Sequence, residues 1–165
     1  METSPDDDLH GVVEAVLIAS RALVGVAARS LGDAGETITL PQFRALILLS
    51  AGNLTAGALA AALKVHPSTS TRLAARLVRK GLITRRPALA SAREVELALT
   101  DAGRVVVREV LDRRRQEIAT IVAHIPEAKR GELIEALQLF ADAAGEAPEQ
   151  SWSLGWGTRT EKSPA

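Results

Sequence analysis

A mainly α-helical chain with one small β-wing is what this sequence predicts, and three observations predict it. Two short amphipathic stretches are separated by only a few residues around Lys64-Val65-His66. The hydrophobic period then switches from helical spacing to strict alternation after Gly81. Finally, the segment between Glu36 and Glu94 contains no Asp or Glu and carries nine Lys/Arg. Short helices joined by a tight turn make a helix-turn-helix, and alternation directly after it makes a wing. The expected architecture is a winged helix-turn-helix lobe of about residues 39–100 plus a helical dimerisation region, 9–32 and 101–145.

The elements follow in order. Residues 1–8 read as an acidic flexible N-terminus, and Leu9 to Leu31 as the first helix, with Val12, Val13, Val16, Leu17, Leu23, Val24 and Ala27 at helical spacing. Thr39 caps a second helix, with Pro41 in its first turn and Phe43, Leu46, Ile47 and Leu49 on its buried face. Gly52-Asn53 ends it. Thr55 caps a short third helix holding Leu59 and Leu63, and Pro67 opens a fourth with Leu73, Leu77 and Val78 on one side. Gly81 suits the left-handed position that closes that helix.

Leu82 and Ile83 begin the first wing strand; Val95, Leu97 and Leu99, alternating with Glu94, Glu96 and Ala98, form the second. The tip, Ala88 to Arg93, exceeds a two-residue hairpin loop and is expected to be mobile without a partner. Thr100-Asp101 caps a fifth helix containing Val105, Val106, Val110, Leu111, Ile118, Ile121 and Val122. Pro126 interrupts, and a sixth helix holds Leu133, Ile134, Leu137 and Phe140. Residues 146–165, rich in Pro, Gly, Ser and charge, are expected to be mostly unstructured; within them Trp152-Ser153-Leu154-Gly155-Trp156 reads as a segment packing across a partner subunit, a docking peptide or a disordered remnant.

The charge pattern points to a polyanion. Lys+Arg and Asp+Glu number 20 each, so the neutral whole conceals a cationic middle third and acidic flanks. With Phe43, Phe140, Trp152 and Trp156 as the sole aromatics, stacking of single-stranded bases is disfavoured. Double-stranded DNA is the expected partner. Ser68, Thr69, Ser70 and Thr71 crowd the first turn of the fourth helix, where hydroxyls reach base edges or phosphates; their bland alternative is helix capping. Arg72 is long enough to pair bidentately with guanine, and Arg76 follows on the same face. Arg85 and Arg86, adjacent on a strand, point to opposite sides, so one faces DNA and the other meets Glu94 or Glu96.

Other chemistry is not expected. The chain lacks cysteine, which removes disulfides and thiolate metal sites. His10, His66 and His124 lack ligand spacing, Ser68 lacks a nucleophile-elbow surround, and no Gly-rich phosphate loop is present. No catalytic residue, metal or cofactor is therefore assigned. No secretory signal or membrane span is expected after the acidic start, and a cytoplasmic location is the default reading. Arg113-Arg114-Arg115, between Asp112 and Glu117 in the fifth helix, reads as a set joining intersubunit or i,i+4 ion pairs, with a fringe phosphate contact as the alternative.

Four motifs in order carry a family resemblance: Leu40-Pro41-Gln42-Phe43-Arg44-Ala45-Leu46, then Val65-His66-Pro67-Ser68-Thr69-Ser70-Thr71-Arg72-Leu73, then Gly81-Leu82-Ile83-Thr84-Arg85-Arg86, and Leu99-Thr100-Asp101-Ala102-Gly103-Arg104. Residues 9–145 resemble the multiple-antibiotic-resistance regulator (MarR) family. The resemblance implies a homodimeric winged-helix transcription factor whose first and last helices interlock. Its recognition helices would enter successive major grooves of a near-palindromic operator. It also implies a repressor released by a small, often aromatic or phenolic, effector. The implied pocket lies among the first, second and fifth helices, with Arg21, Phe43 and Arg44 as candidates. At the wing tip the family's usual Asp-x-Arg is Ser91-Ala92-Arg93, so Arg93, the implied minor-groove probe, lacks the carboxylate that would orient it. A constitutive or architectural DNA-binding factor and a winged-helix module for protein contacts are the alternative readings.

Overall fold

A computed structural model describes residues 5–32, 38–88 and 91–145, with the backbone alone at 5, 6, 88 and 91–94. Helix α1, Pro5–Gly32, begins a turn earlier than the apolar spacing alone predicts. Pro5 loses nothing at a position whose N–H is unpaired anyway, and Asp7 and Asp8 complement the positive end of the helix. The expectation that no long apolar run follows the N-terminus needs correcting. The 7–32 stretch contains an 18-residue window of mean hydropathy 1.8, and is long and apolar enough by composition to cross a bilayer.

Helix α2, Leu40–Ala51, is fixed by a reciprocal cap: Gln42 N donates to Thr39 Oγ1 at 3.5 Å while Thr39 N donates to Gln42 Oε1 at 3.1 Å. Strand β1, Leu54–Thr55, precedes α3, Ala56–Leu63, whose first turn is capped by Thr55 Oγ1 accepting from Ala58 N at 3.1 Å. Lys64 turns the chain at φ 54°, and His66 caps α4, Pro67–Arg79, through Nδ1 accepting from Ser68 N at 3.3 Å. Past Lys80, Gly81 sits at φ 68°, and Leu82 N donates to Leu77 O at 3.0 Å, closing α4 with a Schellman cap.

Strands β2, Ile83–Ala88, and β3, Ser91–Leu99, form the wing, and β1 joins its other edge to give the antiparallel order β1-β3-β2. The third strand was not expected, because two residues are too few to show a period and their partners, Leu97 and Glu96, lie far along the chain. The wing tip also departs from a plain loop. Pairing runs regularly to Pro87 opposite Val95, then jumps to Ala88 opposite Ser91, so 92–94 bulge out of the ladder. Residues 89–90 and the side chains of Ser91 and Arg93 lie outside the described residues, as do 1–4, 33–37 and 146–165; the mobility and tail expectations fall there.

Helix α5, Asp101–Ala123, and helix α6, Glu127–Ala144, complete the chain. One core joins the lobe to the start of α5: Phe43, Leu46, Leu59, Leu77, Ile83, Leu97, Leu99, Val107 and Val110 are all buried. Only the C-terminal third of α1 reaches it, through Leu31, and α6 has no buried residue. The lobe's core is thus completed by the start of α5 and the end of α1, whereas the rest of α1 and α6 contribute little to it.

Candidate nucleic-acid interface

Helix α4 presents two faces. Ser70, Ala74 and Leu77 are buried with Leu73 and Val78 packed alongside, while Ser68, Thr69, Thr71, Arg72, Arg76 and Arg79 are exposed. Among the described residues, neither Arg72 nor Arg76 pairs with a carboxylate. The exposed side is therefore donor-rich and cationic, as the sequence predicts. Ser68 Oγ lies 2.9 Å from His66 Nδ1, and Thr71 Oγ1 donates to Pro67 O at 3.0 Å; both hydroxyls are locally tied yet remain at the surface.

Ser70 is a correction. Its side chain is fully buried and its hydroxyl donates to Ala56 O at 2.9 Å, pinning α4 to the start of α3. The signal was available: positions 70, 73, 74 and 77 share the inward face of a 3.6-residue helix. Ser70→Ala is expected to lower stability by about 1 kcal/mol by removing the hydrogen bond that its buried hydroxyl makes. DNA affinity of the folded variant should be unchanged, and a duplex titration beside a urea melt checks both. Loss of base discrimination would return Ser70 to the interface.

The wing register separates its two arginines. Arg85 stands opposite Leu97 and Arg86 opposite Glu96, so they occupy different faces of the sheet. Both are exposed. Glu96 is engaged from the other side, accepting from Asn53 Nδ2 at 3.2 Å, which ties β1 to the wing base.

Among the described residues, the sequence-derived ligand candidates do not line one shared cleft. Phe43 is 1% exposed in the core, and Arg21 and Arg44 are exposed. An apolar cleft between α1 and α2, lined by Val24, Ala27, Leu31, Ile38 and Leu40, includes none of the three. The arginine run of α5 is also unlike the ion-pairing set expected. Arg115 does approach Asp112 at 3.5 Å, but Arg113 Nε donates to Ser30 O at 3.2 Å and Arg114 Nε to Ser30 Oγ at 3.4 Å. The Arg114 guanidinium lies 5.1 Å from the Phe43 ring centroid, a cation–π contact, and burial lowers its pKa from the usual arginine value. Arg113 Nη2 and Arg114 Nη2 are buried without a partner among the described residues. Beside them a polar cleft of about 290 Å³ is lined by Arg29, Ser30, Arg113, Gln116, Glu117 and Thr120, with Arg29 paired to Glu117. No hydrophobic period announces half-buried arginines that reach across to Ser30, so sequence reasoning missed this site.

Comparison with known proteins agrees with this architecture. Residues 38–95 match the sequence profile of the MarR family. The HTH-type transcriptional repressor MdtR of Bacillus subtilis is 30% identical over 106 residues, 64% of this chain and 68% of that protein. The crystal structure of RV1404 from Mycobacterium tuberculosis superposes with a TM-score of 0.79 at 43% identity, covering 90% of this chain and 99% of that one. A mutant of MepR from Staphylococcus aureus, bound to an oligodeoxyribonucleotide, shares the fold at TM-score 0.61 and 23% identity, over 81% of this chain and 97% of that one. With the winged lobe, the cationic probe helix and these relatives in agreement, the chain belongs to the MarR family of DNA-binding winged helix-turn-helix transcriptional regulators.

Proposed function

We propose that the chain is a homodimeric repressor that leaves a near-palindromic operator when a small ligand binds. The observation that carries the reading is the exposed, carboxylate-free face of α4, where Ser68, Thr69, Thr71, Arg72 and Arg76 stand together. One of Arg85 and Arg86, which lie on opposite faces of β2, would extend that face toward flanking backbone, with Arg93 as the minor-groove probe that the family resemblance implies. The repressor sense follows the named activity of MdtR.

Self-association rests on uncovered apolar surface. Leu9, Val12, Val13, Leu17, Ile18 and Leu23 on α1, and Ile134, Leu137, Leu139 and Phe140 on α6, are exposed. Soluble monomers rarely leave apolar surface of this extent in water. A bilayer would have to take Glu14 and Arg21 as well, at about 2.5–3.5 kcal/mol for a charge at mid-membrane. A second copy covers the face without that penalty, and a two-fold pairing sets two α4 helices about one DNA turn apart. A cytoplasmic location fits a protein that reads DNA.

For the ligand, the cleft at Arg29, Ser30, Arg113 and Glu117 is the better seat than Arg21, Phe43 and Arg44. Arg113 lines that cleft and its buried Nη2 has no partner among the described residues, so a small carboxylate, aromatic or phenolate acid fits the chemistry. The test is a gel shift with the DNA upstream of its own coding sequence, across salt concentrations and with added aromatic acids. A specific shift reversed by an acid is the expected result. A shift that no acid reverses favours a constitutive factor, and no shift at low salt favours a protein-contact module. Arg72→Ala should cost ~1–3 kcal/mol of discrimination against a mutated operator while leaving the dimer intact. Equal weakening of specific and nonspecific duplex would make Arg72 a backbone contact.

A further inference from the structure

We infer that the cleft between α2 and α4 seats one phosphate of the DNA backbone and thereby sets how α4 lies in the groove. The inference rests on the DNA-binding reading above and assigns a role to Gln42, which belongs to no expected site. The cleft has a volume of about 330 Å³ and is walled by Thr39, Gln42, Thr69, Arg72 and Arg76 over Leu73. Its charged groups are two guanidiniums, and its lining holds no carboxylate, so it favours an anion.

Three features make it a built seat. Gln42 is only 6% exposed, and its Oε1 is already used by Thr39 N at 3.1 Å. Gln42 lines the cleft, and no described group accepts from its amide nitrogen. That donor is not sealed away from solvent, so it is free to meet an acceptor seated in the cleft. Arg72 and Arg76, one turn apart on the same face, also repel each other until an anion sits between them. The cleft finally adjoins the hydroxyl-tipped start of α4 through Thr69, so a group held in it belongs to the DNA strand flanking the groove that α4 enters. Contacts to phosphate carry no sequence information but fix the register in which base edges are read.

Gln42→Glu isolates the effect. Glutamate serves the reciprocal cap at this position as well as glutamine does, so the fold is retained, but the N–H donor is replaced by a charged acceptor. The measurement is affinity for a duplex selected by the wild-type chain, with single phosphates replaced by neutral methylphosphonates. In the wild type, one phosphate in each half-site should cost roughly tenfold when neutralised, the scale of a charge-assisted hydrogen bond. Gln42→Glu should lose about as much on the native duplex, become indifferent to that phosphate, and show a salt slope shallower by about one unit per seat. Should Gln42→Glu fail to fold, Gln42→Met, neutral and without the donor, is expected to give the same insensitivity. A wild type that binds tightly while no phosphate loses its effect in either variant overturns the seat. Inorganic phosphate that raises the melting temperature of the wild type but not of Gln42→Glu at constant ionic strength, without any such coupling on DNA, reassigns it to a free anion and also overturns the inference. A wild type that binds no duplex overturns the DNA reading itself, and the seat with it.

Discussion

Gly103→Ala is expected to lose about 3 kcal/mol of stability, at the upper end for overpacking a tight site, and to lower the melting temperature by roughly 6–12 °C. A Cβ at this position would sit 2.1 Å from Leu82 O and 2.9 Å from Leu99 Cδ2. The first of these is backbone, which cannot swing aside as a side chain would. It is also committed, because Leu82 O accepts from Thr100 N at 3.1 Å. The same junction is held by Thr100 Oγ1, which donates to Gly81 O at 2.7 Å and accepts from Gly103 N at 3.1 Å. The start of α5, the end of α4 and the base of the wing therefore meet at one point, and only a residue without a side chain lets them approach. Relieving the clash moves α5 away from the wing or tilts the wing relative to α4. Either movement separates surfaces that must touch one duplex, so operator affinity should fall even in the fraction that remains folded. Differential scanning calorimetry with a parallel DNA titration measures both effects. A melting temperature within about 2 °C of wild type would mean the junction relaxes freely, contrary to its hydrogen bonding.

That junction also marks how far the sequence could be read. Thr39, Thr55, Thr100 and Gly81 announce helix ends because capping is chemistry between neighbours, and each occupies the expected cap. The alternation of Val95, Leu97 and Leu99 likewise reports a strand with one inward side, although Val95 itself lies beyond the core and is exposed. Features that depend on remote partners were not legible. Strand β1 exists because Leu54 and Thr55 find Leu97 and Glu96, a pairing no local pattern encodes. The arginines of α5 contact Ser30 and Phe43, far away in the chain, and read locally as surface charge. At the candidate site, residue types were readable but their availability was not. Arg72 and Arg76 emerge exposed, while Ser70, of the same type as its neighbour Ser68, is consumed in holding α3 to α4. Gln42 was hidden for the opposite reason: its role as a capping partner obscured the donor it leaves over.

The largest effect on DNA binding is expected from a change far from the DNA. Leu17→Glu combined with Leu137→Glu should convert the protein to a monomer and weaken operator binding by about 10²–10⁴-fold, the range in which linking two sites raises affinity. Each leucine is 52% exposed within one protomer, so within the protomer the substitutions remove little packing and should leave the helical signal intact. At a two-fold interface each substitution acts twice, placing four carboxylates where α1 and α6 of two copies would otherwise exclude water. A monomer retains Arg72, Arg76 and the wing, hence its contacts to a half-site, but forfeits the second half-site that the first would have held close. Its salt slope should fall to about half, since phosphate contacts contribute additively to it. Sedimentation velocity and a titration on full and half operators separate the possibilities. A dimer that survives both substitutions would place self-association elsewhere on the chain. A monomer with undiminished affinity would show that a single cationic α4 face suffices, and the apolar sides of α1 and α6 would then require a partner other than a second copy.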